Sequence, residues 1–135
     1  MVMLVWGNAY KVGFGRIDND HQELVRMINE LADAIKVQRG ASVLDKLFRD
    51  LVDYTVKHFA MEERLMQTYA YPEKSRHTKE HEDLKKSVTD LMNKFKEGKT
   101  TASLQTIHFL NDWLAEHILK TDKHLATFLN AKGVN

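Results

Sequence analysis

Residues 44–81 read LDKLFRDLVDYTVKHFAMEERLMQTYAYPEKSRHTKEH, and this stretch decides the fold. Leu44, Leu47, Phe48, Leu51, Thr55, Phe59, Leu65 and Met66 recur at helical spacing. They predict a helix from a cap at Ser42 to about Tyr69. Tyr71-Pro72 ends that helix, because the residue before a proline avoids the α region. A second helix starts at about Glu73, just after the proline, and carries Leu84, Val88, Leu91 and Phe95. A short connection makes the two helices antiparallel. Polar groups interrupt both apolar stripes next to the turn. His58 and Glu62 extend the first stripe near its end, and His77 and His81 open the second. Each pair is spaced i,i+4, so its two heads lie one turn apart on one face.

The same pattern extends outward from this hairpin. Leu24, Ile28, Leu31 and Ile35 predict a helix over roughly 19–38, capped at Asp18 and followed by Gly40. His21 lies on its apolar stripe. Ahead of it, Gly7, Gly13 and Gly15 interrupt Trp6, Tyr10, Val12, Phe14 and Ile17, which reads as an ordered arm over 1–17. Beyond the hairpin, the third helix stops at Gly98. A fourth begins near Thr101 or Ala102 with Leu104, Ile107, Leu110, Leu114 and Ile118, and His117 continues its stripe. A short further segment holds Leu125, Phe128 and Leu129 before Gly133. No strand pattern or repeat appears. The expectation is all-α: one domain over 1–135, an up-down-up-down four-helix bundle over 18–130, with an N-terminal arm and a short C-terminal helical segment.

Composition narrows the chemistry. The chain has no cysteine, which excludes disulfides, thiolate metal sites and thiol nucleophiles. Its 20 basic and 19 acidic residues give a formal net charge of +1, with no electrostatic footprint for nucleic acid or an anionic membrane. Met1 to Trp6 are too few for a signal peptide or a span, so a cytoplasmic location is expected. One proline among 135 residues suits long uninterrupted helices; seven histidines call for an explanation.

That explanation lies in where the histidines fall. His21 is near the start of the first helix, and His58 and Glu62 are near the end of the second. His77 and His81 open the third, and His117 is near the end of the fourth. In an antiparallel bundle these places share one end. A single histidine on an apolar stripe is most often a satisfied core residue. Six such groups together are a different matter, since each one left unpaired costs about 1–3 kcal/mol. The total would rival the whole stability of a small domain, about 5–15 kcal/mol. A bound metal satisfies them and returns its binding energy to the fold.

Imidazoles with carboxylates suit iron, manganese, copper or zinc. Five histidines are too many for one ion that keeps an open position, so they suggest two ions with bridging carboxylates. Glu62 is one candidate bridge and Asp122 the second. Residues five apart are poorly aligned on an α-helix, so His117 and Asp122 can both reach the site only if the helix breaks or loosens between Leu119 and Thr121. Two other motifs compete. His77-Thr78-Lys79-Glu80-His81 matches the H-x-x-E-H signature of inverted zinc proteases, but it ignores His21, His58 and His117 and lacks the large chain such enzymes use. On that view Glu80 would be the general base; without it, Glu80 is expected to be a solvated helix residue. The ferritin-like site needs E-x-x-H repeats, and none of the seven histidines has a glutamate three residues before it.

The order Trp6…Tyr10-x-Val12-Gly13…Ile17-Asp18-x-x-His21…His58-Phe59-x-x-Glu62-Glu63…His77-x-x-x-His81…Trp113-Leu114-x-x-His117-Ile118…Asp122 resembles the hemerythrin family in its bacterial single-domain form, over almost the whole chain. The resemblance implies two oxo- or hydroxo-bridged iron ions. One would be held by His77, His81 and His117, and the other by His21 and His58 with one open position. Glu62 and Asp122 would bridge them, and dioxygen would bind reversibly at the open iron. Leu24, Phe59, Trp113, Leu114 and Ile118 flank these residues and are expected to wall a dry oxygen pocket; each is equally an ordinary core residue. His108 and His124 fall off the ligand pattern, and Glu63, next to Glu62, is expected to face outward, with bracing a ligand from behind as its alternative.

The function so implied is that of a monomeric oxygen carrier, store or supplier to an oxidase. The alternative is an oxygen or redox sensor acting through a signalling partner. With no general acid or base expected on the apolar side of the pocket, an enzyme is not expected.

Overall fold

The computed structural model describes residues 5–37, 39–97 and 100–134. It consists of α1 (Gly15–Lys36), α2 (Ala41–Thr68), α3 (Lys74–Lys96), α4 (Thr100–Glu116) and α5 (Lys123–Ala131), with a π turn over His117–Asp122 joining the last two. The expected stop at Gly98 and the reach of the first helix to residue 38 lie outside the described residues, as do the side chains of Thr101, Ala102 and Leu104. Each helix packs on its neighbours in chain order, and α1 closes the ring against α4. The chain is thus an up-down-up-down four-helix bundle. Among the described residues no helix is long and apolar enough to cross a membrane.

The apolar stripes become the core. Leu31, Phe48, Leu51, Leu91, Ile107 and Leu110 are almost fully buried, each stabilising the fold by about 1.5–3 kcal/mol relative to exposure. Phe48 of α2 meets Phe95 of α3 at a ring separation of 5.1 Å. These residues fill the middle and far end of the bundle. The polar cluster occupies the other end.

The helix starts differ from the sequence reading. Helix α1 begins at Gly15, upstream of the expected cap, with no side-chain cap bond. Asp18 lies inside its first turn and accepts the backbone N–H groups of Val12 at 2.7 Å and Gly13 at 3.2 Å. The acid therefore ties down the arm and does not cap its own helix. Gly13 adopts φ +92°, a left-handed backbone that glycine takes freely, and its carbonyl accepts the Asn130 amide at 3.1 Å. Helix α2 starts one turn position before Ser42. The Gly40 carbonyl already accepts the N–H groups of Val43 and Leu44, so Gly40 is the cap residue.

The α2–α3 turn closes through an N–H from Tyr71 to the Met66 carbonyl at 2.9 Å, wrapped around Ala70 at φ +54°. This is the Schellman arrangement, in which the left-handed position is usually glycine. Ala70 fills it here at a cost.

The expected loosening after His117 is present without a break. Backbone hydrogen bonding widens to i→i+5 over His117–Asp122, and α5 carries straight on. In this wider turn, residues five apart sit one above the other. His117 and Asp122 therefore share a face.

Candidate metal centre

His21, His58, Glu62, His77, His81, His117 and Asp122 meet at one level of the core, each at most 2 % exposed. α1 delivers His21, α2 His58 and Glu62, α3 His77 and His81, and the π turn His117 and Asp122. They form two overlapping groups. His77, His81 and His117 gather with Glu62 and Asp122, and His21 and His58 gather with the same two carboxylates.

Each carboxylate divides its oxygens between the groups. Glu62 Oε1 lies 2.9 Å from His81 Nε2 and 3.1 Å from His77 Nε2, while Oε2 lies 3.0 Å from His58 Nε2. Asp122 Oδ1 lies 2.9 Å from His77 Nε2 and 3.0 Å from His117 Nε2, while Oδ2 lies 2.6 Å from His21 Nε2. All five rings therefore aim Nε2 at the shared carboxylates. Several of these atoms lack a hydrogen bond of acceptable geometry: Nε2 of His21, His58, His81 and His117, Oε2 of Glu62, and both oxygens of Asp122. Buried polar atoms are almost always paired. A nitrogen-and-oxygen donor set left this incomplete suits cations of the iron, manganese or zinc type.

A second set of carboxylates lies behind the histidines; of its members only Glu63 had such a role as an alternative from the sequence. Asp20 accepts a hydrogen bond from Nδ1 of His58 at 2.8 Å and another from the Tyr54 hydroxyl at 2.9 Å. Glu63, expected to face outward, lies 3.0 Å from Nδ1 of His81. Glu80, expected to be a solvated helix residue, accepts the Thr121 hydroxyl at 2.9 Å and faces Nδ1 of His117 at 3.4 Å. Each acid adjoins a member of the central cluster in sequence yet braces a histidine of the next element: α1 to α2, α2 to α3, α3 to the π turn. That adjacency was the available signal. Such partners fix ring orientation and raise ligand basicity.

The ring of acids also sets protonation in the metal-free chain. Burial alone would push the His58 imidazole down, but Glu62, Asp20 and Asp122 outweigh it and raise it to about 10. His117 is likewise disfavoured by burial yet held at about 10 by Asp122, Glu80 and Glu62, and His77 at about 9 by Asp122 and Glu62. Burial and the charge of Asp122 oppose ionisation of Glu62, and His58 and His77 overcome both and hold it well below the usual carboxylate range. Asp122 is depressed in the same way, with His117 and His21 outweighing burial.

Two aromatic rings shield one side of the cluster. Phe59 lies flat on His81, with 3.8 Å between ring centres, and Trp113 stacks on His117 at 4.8 Å. Ile118 is fully buried. Leu24 and Leu114 instead line an apolar cavity of about 20 Å³ with Ile28, Leu51, Thr55, Leu84, Val88 and Leu110. That is room for one water-sized molecule. Leu24, Thr55, Leu84 and Leu114 stand three residues from His21, His58, His81 and His117, so the cavity lies directly beneath the ring layer. Of the five residues expected to wall one pocket, Leu24 and Leu114 thus line the cavity, while Phe59 and Trp113 lie on the three-histidine side. His108 and His124 are exposed and take no part in either group.

Comparisons with known proteins follow the same lines. The profile of the hemerythrin HHE cation binding domain matches residues 12–129. A bacteriohemerythrin of Methylococcus capsulatus is 33 % identical over 132 residues, spanning 97 % of this chain and 100 % of the relative. One from Pseudomonas aeruginosa is 35 % identical over 122 residues, spanning 90 % and 78 % respectively. The crystal structure of wild-type hemerythrin superposes with a TM-score of 0.83 at 33 % identity, covering 92 % of this chain and 95 % of that one.

Proposed function

Because this chain belongs to the hemerythrin family, we propose that it binds dioxygen reversibly at a centre of two non-haem iron ions, as an oxygen carrier, store or supplier. The observation that carries this reading is the pair of overlapping clusters that share both carboxylates of Glu62 and Asp122. Two ions bridged by two carboxylates need that division of oxygens; one ion does not. His77, His81 and His117 would hold one ion and His21 and His58 the other, which leaves the second with fewer protein ligands. When bound, ferrous ions supply the electrons through which dioxygen is held reversibly.

The chain's own residues decide what happens around the ions. Asp20, Glu63 and Glu80 accept from Nδ1 of His58, His81 and His117, which keeps each Nε2 turned inward as a lone-pair donor. The cavity beneath the rings has one hydroxyl, Thr55, and no acid or base. It admits a small neutral gas and excludes the proton donors that turnover needs. That lining supports binding over consumption, and on that ground we place this activity with a carrier.

Anaerobic reduction followed by re-exposure to oxygen tests the reading, with the visible spectrum and iron content followed together. The expected result is two irons per chain and a charge-transfer band that comes with oxygen and leaves on its removal. Irreversible conversion to a diferric spectrum would overturn the carrier reading, and an iron-free protein would overturn the centre itself.

A further inference from the structure

We propose that Glu80 is a positioning residue which, clamped by Thr121, holds the π turn against α3 and orients His117, so that His117 and Asp122 face the centre together. This deepens the di-iron reading and rests on it.

The need for such a device follows from spacing. On a regular α-helix, residues five apart are separated by about 140° of rotation, so His117 and Asp122 could not both point inward. The π turn removes that offset, but a π turn is a rare and poorly supported element. Left alone, it has a regular helix to relax into. Relaxation would carry Asp122 away from His21 and His77, from which its oxygens now lie 2.6 and 2.9 Å.

Glu80 supplies the hold. Its Oε1 and Oε2 accept the Thr121 hydroxyl at 2.9 and 3.1 Å, and Oε1 also faces Nδ1 of His117 at 3.4 Å. One carboxylate of α3 thereby grips the turn near both of its ends. Asp20 and Glu63 each brace a ring on a regular helix; Glu80 braces a ring and an irregular backbone at once. This gives the H-x-x-E-H spacing of α3 a role other than hydrolysis: His77 and His81 face the centre and Glu80 turns sideways to the neighbouring element. The grip lies on the wall of a polar pocket of about 220 Å³ that also touches Arg76, His77 and Lys120. Its loss would expose Nδ1 of His117 to water.

The test compares wild type with Glu80→Ala, Thr121→Val and Thr121→Ser. Ferrous affinity is measured by anaerobic chelator competition, and amide hydrogen exchange is measured on the metal-free chain. Losing a partner of this kind typically costs about 10- to 100-fold in metal affinity, so Glu80→Ala and Thr121→Val should fall by that factor and Thr121→Ser should stay within about threefold of wild type. In the metal-free chain the first two variants should speed exchange over residues 118–123 and leave α1 and α2 unchanged. Wild-type affinity and exchange in Glu80→Ala and Thr121→Val would overturn the proposal. So would faster exchange along every helix, which is the mark of a merely structural residue. If the wild-type chain takes up no iron, the di-iron reading fails, and exchange at the π turn alone decides the role of Glu80.

Discussion

Loading this centre should expel protons, and the structure sets how many. In the metal-free chain His58, His77 and His117 are held at about 10, 9 and 10 by the carboxylates around them. At pH 7 all three are imidazolium ions. A metal accepts only the neutral ring, so binding must displace about three protons. The overall constant for loading both ions should then rise about three decades per pH unit between about pH 7 and 8.5, or about 4 kcal/mol per unit, shared between the two ions. The stability of the metal-free chain runs the other way. The three rings are raised above their unfolded value of about 6.5, so their contribution is complete below that pH and is lost as pH climbs through 9 and 10. Glu62 and Asp122 are depressed, so theirs is present above the ordinary carboxylate range and is lost only in acid. The metal-free Tm should fall as pH rises from about 6.5 to about 10, while the gain in Tm on adding iron grows with pH. Chelator competition under argon at pH 6.5, 7.5 and 8.5, corrected for the chelator's own protons, gives the slope directly. A slope near zero would show that the rings are already neutral before iron arrives, and the electrostatic account of the cluster would be wrong.

Other perturbations test separate parts of the molecule. Glu62→Ala removes one of two shared carboxylates and should lower iron content to at most one per chain; two irons retained would dismiss Glu62 as a bridge. Leu114 is 4 % exposed on the wall of the cavity beneath the rings, so Leu114→Ala should cost about 2–5 kcal/mol in chemical denaturation and speed decay of the oxygenated form to the diferric one. Unchanged decay would detach that cavity from oxygen binding. Ala70 holds a left-handed backbone that costs a side-chain-bearing residue about 1–2 kcal/mol. Ala70→Gly recovers part of this against the greater freedom of unfolded glycine, so urea unfolding should show a gain of about 1 kcal/mol or less, and a loss would refute the strain.

The bundle was legible because its core obeys one period. Most residues that repeat at helical spacing in α1, α2 and α3 are buried, with Leu47, Leu65 and Phe95 half-buried against them, and Pro72 marks the one turn that a proline helps to end. The helix starts were less legible because capping competes with other uses of the same side chain. Asp18 has the composition of a cap, yet it stands inside the first turn and its carboxylate accepts the N–H groups of Val12 and Gly13. From sequence alone, an acid that caps its own helix and one that ties down the preceding arm look alike. Ser42 shows the converse: a good capping residue is idle because the Gly40 carbonyl closes the turn first.

The central cluster was legible for a different reason: its residues break a local rule. Histidines and a glutamate on apolar stripes are in conflict with their surroundings, and His117 and Asp122 are in conflict with helical geometry. Each conflict pointed to something real in the fold, the gathered polar cluster in one case and the π turn in the other. Asp20, Glu63 and Glu80 break no rule. Each is an acid on the polar side of an amphipathic helix, where period and propensity both permit it. Their work is done across to the next element, on His58, His81 and His117, and helical periodicity carries no information about reach between helices. Glu80 is the extreme case, since it satisfies its own helix while holding an irregular turn 41 residues away in sequence. A local reading finds residues that are wrong where they stand. A residue that is right where it stands, and needed somewhere else, shows only when the second element is in place.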